Sequence, residues 1–310
     1  MNLLIVIIGP TASGKTNLAV KLADRYNSEI ISADSRQVYR GLDIGTGKDL
    51  HEYNLENKSI NYHLIDIISP QNKYSVFEFQ NDFKQIYKDI VRNNKVPIVC
   101  GGTGFYIKSI LCNYTFSSIP PNEMIRNELK NKSNDELYNM LKDCYPNRDF
   151  SDDEIQTKRR IIRLIEVFNY QNHDMRHNQK YIDKYLVIGL NHKRDSIKNR
   201  IDLRLKNRLE SGLIDEVESL LNTVSYDRLF ELGLEYRYVS LYLKGELSYN
   251  DMFKKLQTAI HQYSKKQMTF FRYMEKNKIR INWIGKNFFK SSVKIIDNFF
   301  DEIENRKISE

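Results

Sequence analysis

The sequence predicts an α/β fold: a parallel sheet core flanked by helices, with an all-helical insertion domain. Three observations predict it. Apolar runs of strand length alternate with helical periodicity from Met1 to Cys112. A glycine loop joins the first run to the first helix. After Pro120-Pro121 the spacing turns helical and stays so until a single further strand at Tyr185.

Leu3-Leu4-Ile5-Val6-Ile7-Ile8 is a continuous apolar run, as expected of a strand buried on both faces. It leads into Gly9-Pro10-Thr11-Ala12-Ser13-Gly14-Lys15-Thr16, and Asn17 to Ala23 then reads as a helix. Strand, G-x-x-x-x-G-K-T and helix in that order form a phosphate loop. Its backbone N–H groups and the helix N-terminus wrap an anionic phosphate. Lys15 adds a point charge, and the Thr16 hydroxyl can ligate Mg²⁺. The core is therefore P-loop NTPase-like and holds a di- or triphosphate.

Glu29 to Ala33 is expected as a second strand ending at Asp34, and Tyr62 to Ile67 as another. Ser75 to Asn93 has helical spacing, with Phe79, Phe83, Ile86, Tyr87 and Ile90 on one face. Val96 to Cys100 is a buried-type strand that breaks into Gly101-Gly102-Thr103-Gly104, and a helix follows from Phe105. Ligands of open parallel sheets sit beyond the carboxyl ends of the strands. Gly9 to Thr16, Asp34 and Gly101 to Gly104 all follow strands and are expected to line one crevice.

Asn122 to Cys144 and Asp152 to Asn169 carry helical spacing. Tyr185 to Leu190 is a strand that rejoins the sheet, Asn191 to Asn222 one long helical pattern, and Asp227 to Asn277 further helices. Residues 1–115 are thus the first part of the core, 116–184 the helical insertion and 185–310 the completion of the core with C-terminal helices.

The chain has 310 residues and a net charge of +8. The charge is clustered. Ile155 to Glu210 holds 14 Lys/Arg against 6 Asp/Glu, and Met252 to Arg280 holds 8 against 1. Two such clusters beside a phosphate loop fit a polyanionic partner. No stretch is long and apolar enough for a membrane span, and nothing reads as a signal peptide. Cys100, Cys112 and Cys144 are widely spaced, as in a cytoplasmic protein with reduced thiols and no zinc site.

Asp34 can cap the turn that follows its strand, or it can accept a proton from a nucleophile in the crevice. The glycines of 101–104 can serve a tight bend or let a ligand approach the backbone. No Walker B aspartate is present, since the strand at Val96 to Cys100 ends in cysteine and glycine. Arg200, Arg204 and Arg208 recur at i, i+4 and share one helix face.

Several blocks carry a family likeness: Gly9 to Thr16, Asp34-Ser35-Arg36-Gln37-Val38-Tyr39-Arg40-Gly41-Leu42-Asp43-Ile44-Gly45-Thr46-Gly47-Lys48, and His63 to Ile67. Gly101 to Tyr106, Arg160 to Val167, Tyr236-Arg237 and Lys265-Lys266-Gln267-Met268-Thr269-Phe270-Phe271-Arg272 continue it in order over nearly the whole chain. The sequence resembles the bacterial tRNA dimethylallyltransferases (tRNA isopentenyltransferases). That resemblance implies transfer of a dimethylallyl group from its pyrophosphate to N6 of the adenosine on the 3′ side of the anticodon.

The site residues follow from the same resemblance. Gly9, Pro10, Thr11, Ala12, Ser13, Gly14, Lys15, Thr16 and Arg204 match the pyrophosphate site, with Mg²⁺ as cofactor at Thr16. Asp34 matches the general base, and Thr16 and Arg204 act with it in catalysis. Ser35, Arg36 and Gln37 match the segment that reads neighbouring bases. Gly102, Thr103, Arg126, Arg159, Arg160, Arg163, Tyr236 and Arg237 match tRNA-binding positions. The implied partners are the anticodon stem-loop of tRNA and dimethylallyl pyrophosphate, with the enzyme a monomer. Two positions depart from the pattern: Glu235 replaces a usual glycine before Tyr236-Arg237, and His261 replaces a common arginine. A P-loop small-molecule kinase and an adenylate (AMP) isopentenyltransferase are the alternatives. The missing Walker B carboxylate weighs against the first, and the long basic insertion against the second.

Overall fold

A computed structural model describes residues 1–56, 58–112, 119–171 and 181–309. The chain divides into two compact units, one of Met1–Leu111 with Tyr181–Glu310 and one of Cys112–Lys180.

The first unit is built on a six-stranded parallel sheet. Its strands are β1 (Leu3–Ile8), β2 (Ile30–Ser32), β5 (Tyr62–His63), β6 (Ile98–Gly101), β7 (Lys184–Leu190) and β8 (Ile281–Ile284), in the order β5-β2-β6-β1-β7-β8. A two-stranded hairpin, β3 (Asn54–Leu55) and β4 (Lys58–Ser59), stands apart. β1 is central. Ile5 pairs with Ile98 on one side and with Leu186 on the other, so its apolar run is buried on both faces. One side of the sheet packs Leu4, Val6 and Ile8 against Phe79, Phe83 and Tyr87, and the other packs Ile5 and Ile7 against Leu18, Leu22 and Ala23.

The helices flanking the sheet early in the chain are α1 (Lys15–Arg25), α2 (Val76–Arg92) and α3 (Gly104–Leu111). A capping box starts α2: the Ser75 hydroxyl accepts from Phe77 N–H at 3.1 Å, and Glu78 accepts from Ser75 N–H at 2.7 Å. The Cys112–Lys180 unit holds α4 (Glu123–Leu129), α5 (Asn134–Cys144), α6 (Asp152–Ile155) and α7 (Lys158–Gln171). After β7 come α8 (Arg194–Glu210), α9 (Leu213–Leu220), α10 (Tyr226–Leu232), α11 (Leu234–Leu243) and α12 (Tyr249–Lys276), with α13 (Phe288–Ser309) after β8. Among the described residues no helix is long and apolar enough to cross a membrane.

Several expected elements differ in detail. Tyr62 to Ile67 yields only a two-residue strand, because Leu64 and Asp66 adopt left-handed backbone at φ +62° and +57°. The chain there turns to pair with the 37–40 segment, Ile67 N–H donating to Val38 O at 2.9 Å. The Asn191 to Asn222 pattern is two helices, broken where Gly212 takes φ +97°. The helical patterns of the insertion are likewise split in two each. β8 went unread, since Ile281-Asn282-Trp283-Ile284 is too short a run to stand out. The expected start of the insertion at 116 lies outside the described residues, and its expected end at 184 is the first residue of β7.

The loop after Asp34 is pinned from a distant helix. Glu216 of α9 accepts from the N–H groups of Asp43 (2.8 Å), Ile44 (2.6 Å) and Gly45 (3.0 Å), and from Tyr236 OH at 2.8 Å. Lys48, 1% exposed, closes the other end by donating to Asp43, Asp66 and Tyr39 O. Glu216→Ala removes the acceptor of four donors at once. It is expected to destabilise the first unit by about 3 kcal/mol, read as a lower urea midpoint, with Glu216→Gln losing less.

In the Cys112–Lys180 unit, Leu137, Leu141, Ile161 and Ile165 form a small core. Glu166, 2% exposed, binds Arg126 Nε at 2.7 Å and Arg163 Nη1 at 2.9 Å. It also accepts from Asn122 N–H at 3.0 Å.

Candidate active site

A cleft of about 310 Å³ opens at the carboxyl ends of β1, β2 and β6. Residues of the phosphate loop from Thr11 to Thr16, Asp34 with Gln37, and Cys100 with Gly101 line it together. Arg200, Leu203 and Arg204 of α8 also line it, as do Asp49 and Glu52. Each of the three expected segments reaches this crevice, through Thr11 to Thr16, Asp34 and Gly101, while Gly9, Pro10 and residues 102–104 are not part of its lining.

The loop takes its shape from two left-handed residues, Ala12 at φ +61° and Gly14 at φ +82°. Such alternation turns successive N–H groups toward one concavity. Gly14 also begins α1, so the helix N-terminus faces the same space. Ser13 Oγ is buried without a hydrogen-bond partner among the described residues, and Ser13 O is held by His192 Nε2 at 2.9 Å. Lys15 folds back to donate to Pro10 O at 2.9 Å.

The cations here are crowded. Desolvation lowers the Lys15 ammonium from its ordinary value, and the charge of Arg204 pushes the same way. Arg204 is lowered to about 10 by desolvation and then by Arg208, so it stays cationic at neutral pH. Its Nη2 donates to Thr11 Oγ1. Arg200 Nη1 lies near Gly14. Cations that depress one another are relieved by an anion, so this wall is electrostatically prepared for phosphate.

On the other side, Asp34 Oδ1 accepts from Arg36 N–H at 2.9 Å and Gln37 N–H at 3.4 Å. Its second oxygen has no hydrogen-bond partner among the described residues. Thr103 Oγ1 accepts from Ser35 N–H at 3.1 Å, and Thr103 N–H donates to Ala33 O at 3.1 Å. Gln37 is held between Gly47 O at 3.0 Å and the Ser32 hydroxyl at 3.1 Å. Cys100 occupies the strand end where a Walker B carboxylate would stand. Burial pushes its thiol up to about 12, so it is neutral there.

The glycines of 101–104 owe their place to packing. A Cβ on Gly101 would strike the Ala33 backbone, one on Gly102 the Gln267 amide, and one on Gly104 the Phe270 ring. What approaches this backbone is the Ala33 main chain at Gly101 and α12 at Gly102 and Gly104, and no residue of the loop has left-handed backbone.

Other residues singled out by sequence fall elsewhere. Tyr236 is 1% exposed, and its hydroxyl donates to Glu216 Oε1 at 2.8 Å, which places it in the scaffold beneath the 43–45 loop. Arg237 is exposed and donates to Phe230 O at 3.2 Å. Arg159 and Arg160 are exposed on α7. Arg126 and Arg163 sit on Glu166, as described above. Glu235 lies 3.3 Å from Arg208 Nη1, and His261 3 residues before Ser264 pairs with Asp202 at 2.8 Å. Both departures from the family pattern therefore have partners.

Sequence reasoning gave no role to Glu216, and it named Gln267 and Arg208 only within a motif block and a helix face. Gln267 had a signal: Met252, Leu256, Ile260, Ser264, Gln267, Phe271 and Met274 form the buried stripe of α12, and a glutamine is out of place on it.

The IPP transferase family model matches residues 37–274, and an isopentenyl transferase model matches residues 2–66. The chain belongs to the IPP transferase family. Among relatives, tRNA dimethylallyltransferase 1 of Azobacteroides pseudotrichonymphae genomovar. CFP2 is 51% identical over 285 residues, covering 91% of this chain and 92% of that one. The tRNA dimethylallyltransferase 1 of Parabacteroides distasonis is 46% identical over the same shares. The full-length tRNA isopentenylpyrophosphate transferase of Bacillus halodurans superposes with a TM-score of 0.70 at 29% identity, over 100% of this chain and 99% of that one. A eukaryotic dimethylallyltransferase crystallised acting on tRNA has the same fold, with a TM-score of 0.79 at 23% identity over 97% of this chain and 80% of that one. The IPP transferase fold thus accounts for the parallel core described above.

Proposed function

We propose that this enzyme transfers a dimethylallyl group from dimethylallyl pyrophosphate to N6 of the adenosine 3′-adjacent to the anticodon in tRNA. One observation carries the reading: a phosphate cradle and a half-spent carboxylate, Asp34, face one cleft in a chain of this family, with a neutral cysteine at the Walker B position.

The phosphate loop, Lys15 and Arg204 hold the pyrophosphate. Asp34 accepts the N6 proton as the nitrogen attacks the allylic carbon. The carbon–oxygen bond breaks, and its electron pair leaves on the pyrophosphate, where Lys15 and Arg204 stabilise the added charge. Ser35, Arg36, Gln37, Gly102 and Thr103 stand on the acceptor side and would contact the target and adjoining nucleotides; an unstacked loop base is the usual form in which RNA is read. Arg159 and Arg160 on the insertion would contact the anticodon stem-loop.

Among the described residues no group of three or more His, Cys, Asp or Glu is gathered to hold a metal. Thr16 supplies one hydroxyl at the cleft. That donor set fits Mg²⁺ arriving with the pyrophosphate, which shares the negative charge of that group when bound. We place the enzyme in the cytoplasm as a monomer.

The test mixes the purified chain with labelled dimethylallyl pyrophosphate, Mg²⁺ and unmodified tRNA, and locates the label by nucleoside mass spectrometry. Label on adenosine beside the anticodon is expected. Label on free AMP in preference to tRNA, or ATP consumption without prenyl transfer, would overturn the reading.

A further inference from the structure

A line of hydrogen bonds joins the two sides of the cleft, and Gln267 is its middle link. Gln267 is 7% exposed on α12. Its Oε1 accepts from Thr11 N–H at 2.8 Å, and its Nε2 donates to Gly102 O at 3.0 Å. Toward the phosphate side, Thr11 Oγ1 accepts from Arg204. Toward the acceptor side, Thr103 follows Gly102 and binds Ser35 N–H and Ala33 O, the two neighbours of Asp34.

Both ends of the amide are used, and each needs a different polarity. A carboxylate could accept from Thr11 and could not donate to Gly102. A methionine fills the same volume and does neither. An asparagine is one methylene short of spanning the two loops. Gly102 is bare where the amide passes, since a Cβ there would collide with Nε2. The geometry therefore asks for glutamine specifically.

We infer that Gln267 is a positioning residue for the transfer: it sets the spacing between the phosphate loop and the Asp34–Thr103 side, so that donor carbon and acceptor nitrogen meet in register. The inference rests on the functional reading above. Gln267 acts through Thr11 and Gly102, and its effect belongs to the orientation of bound reactants. Reacting atoms must lie about 3–3.5 Å apart, and a displacement of about 1 Å costs on the order of 100-fold in rate.

The test compares the full chain with Gln267→Met and Gln267→Glu. Dissociation constants for dimethylallyl pyrophosphate and for unmodified tRNA are measured separately. The rate constant and amplitude of transfer are then taken from a single turnover at saturating concentrations. In Gln267→Met the rate constant is expected to fall roughly 30- to 100-fold, both dissociation constants staying within about threefold of the unaltered chain. A merely structural role would lower the amplitude and leave the rate constant of the active fraction in place. That result, or a loss of affinity with the rate intact, overturns the inference. If Gln267→Met does not fold, Gln267→Glu carries the same comparison, since it keeps an acceptor for Thr11 N–H and has no N–H to donate to Gly102 O. Failure of the unaltered chain to transfer at all would overturn the functional reading and this inference together; normal transfer by both variants would overturn the inference alone.

Discussion

Asp34→Asn is expected to lower prenyl transfer by about 10²- to 10⁴-fold while leaving tRNA binding, pyrophosphate binding and the unfolding midpoint near those of the unaltered chain. The two oxygens of Asp34 divide two tasks. Oδ1 caps the turn through Arg36 N–H and Gln37 N–H, and an asparagine oxygen can do the same. The other oxygen has no partner among the described residues, and an asparagine NH₂ there cannot take a proton. Asp34→Ala removes both roles and is expected to lose transfer with some loss of stability as well. The pair of variants separates cap from base. Near-normal turnover by Asp34→Asn would show that the carboxylate serves the turn alone.

Arg204→Gln is expected to cost about 10²- to 10³-fold in the single-turnover rate, with a smaller loss in affinity for the donor. The reasoning is electrostatic. Arg204 sits among Arg200, Arg208 and Lys15 with its own charge disfavoured by desolvation, so added negative charge on a leaving group is where it gains most. Its bond to Thr11 also steadies the loop. Arg204→Lys keeps the charge and loses the planar fork, and should fall between the two. A change confined to donor affinity, with the rate intact, would argue that Arg204 only holds the pyrophosphate.

Much of the core was legible in the sequence because its signals are local. Leu3 to Ile8 is a six-residue apolar run with a phosphate loop at its end, and the apolar face of α2 shows in the spacing of Phe79, Phe83, Tyr87 and Ile90. β8 was not legible, because a four-residue edge strand is defined by its pairing to Val187–Leu190 more than by its own residues. The site divides in the same way. Asp34 follows a strand end, and Lys15 and Thr16 open the helix after a phosphate loop, where motif and topology predict function. The resemblance alone puts Tyr236 among the tRNA contacts. Only the fold shows that its hydroxyl reaches Glu216 and that its ring fills the space beside Gly45. Glu216 itself binds a loop some 170 residues earlier, at Asp43 to Gly45, and no spacing rule spans that interval.

The position of β1 between β6 and β7 has a consequence for synthesis. The strand that carries the phosphate loop is made before the helical insertion, yet its partner from Lys184 to Gly189 emerges only after the whole of it. Arg204, Glu216 and Gln267 emerge later still. A ribosome-bound fragment ending before β7 holds an open sheet edge, a hazard for pairing with other chains. Until α12 has been made, the phosphate loop and the Asp34 side lack the Gln267 bridge, so a nascent chain cannot complete this cleft before α12 leaves the ribosome.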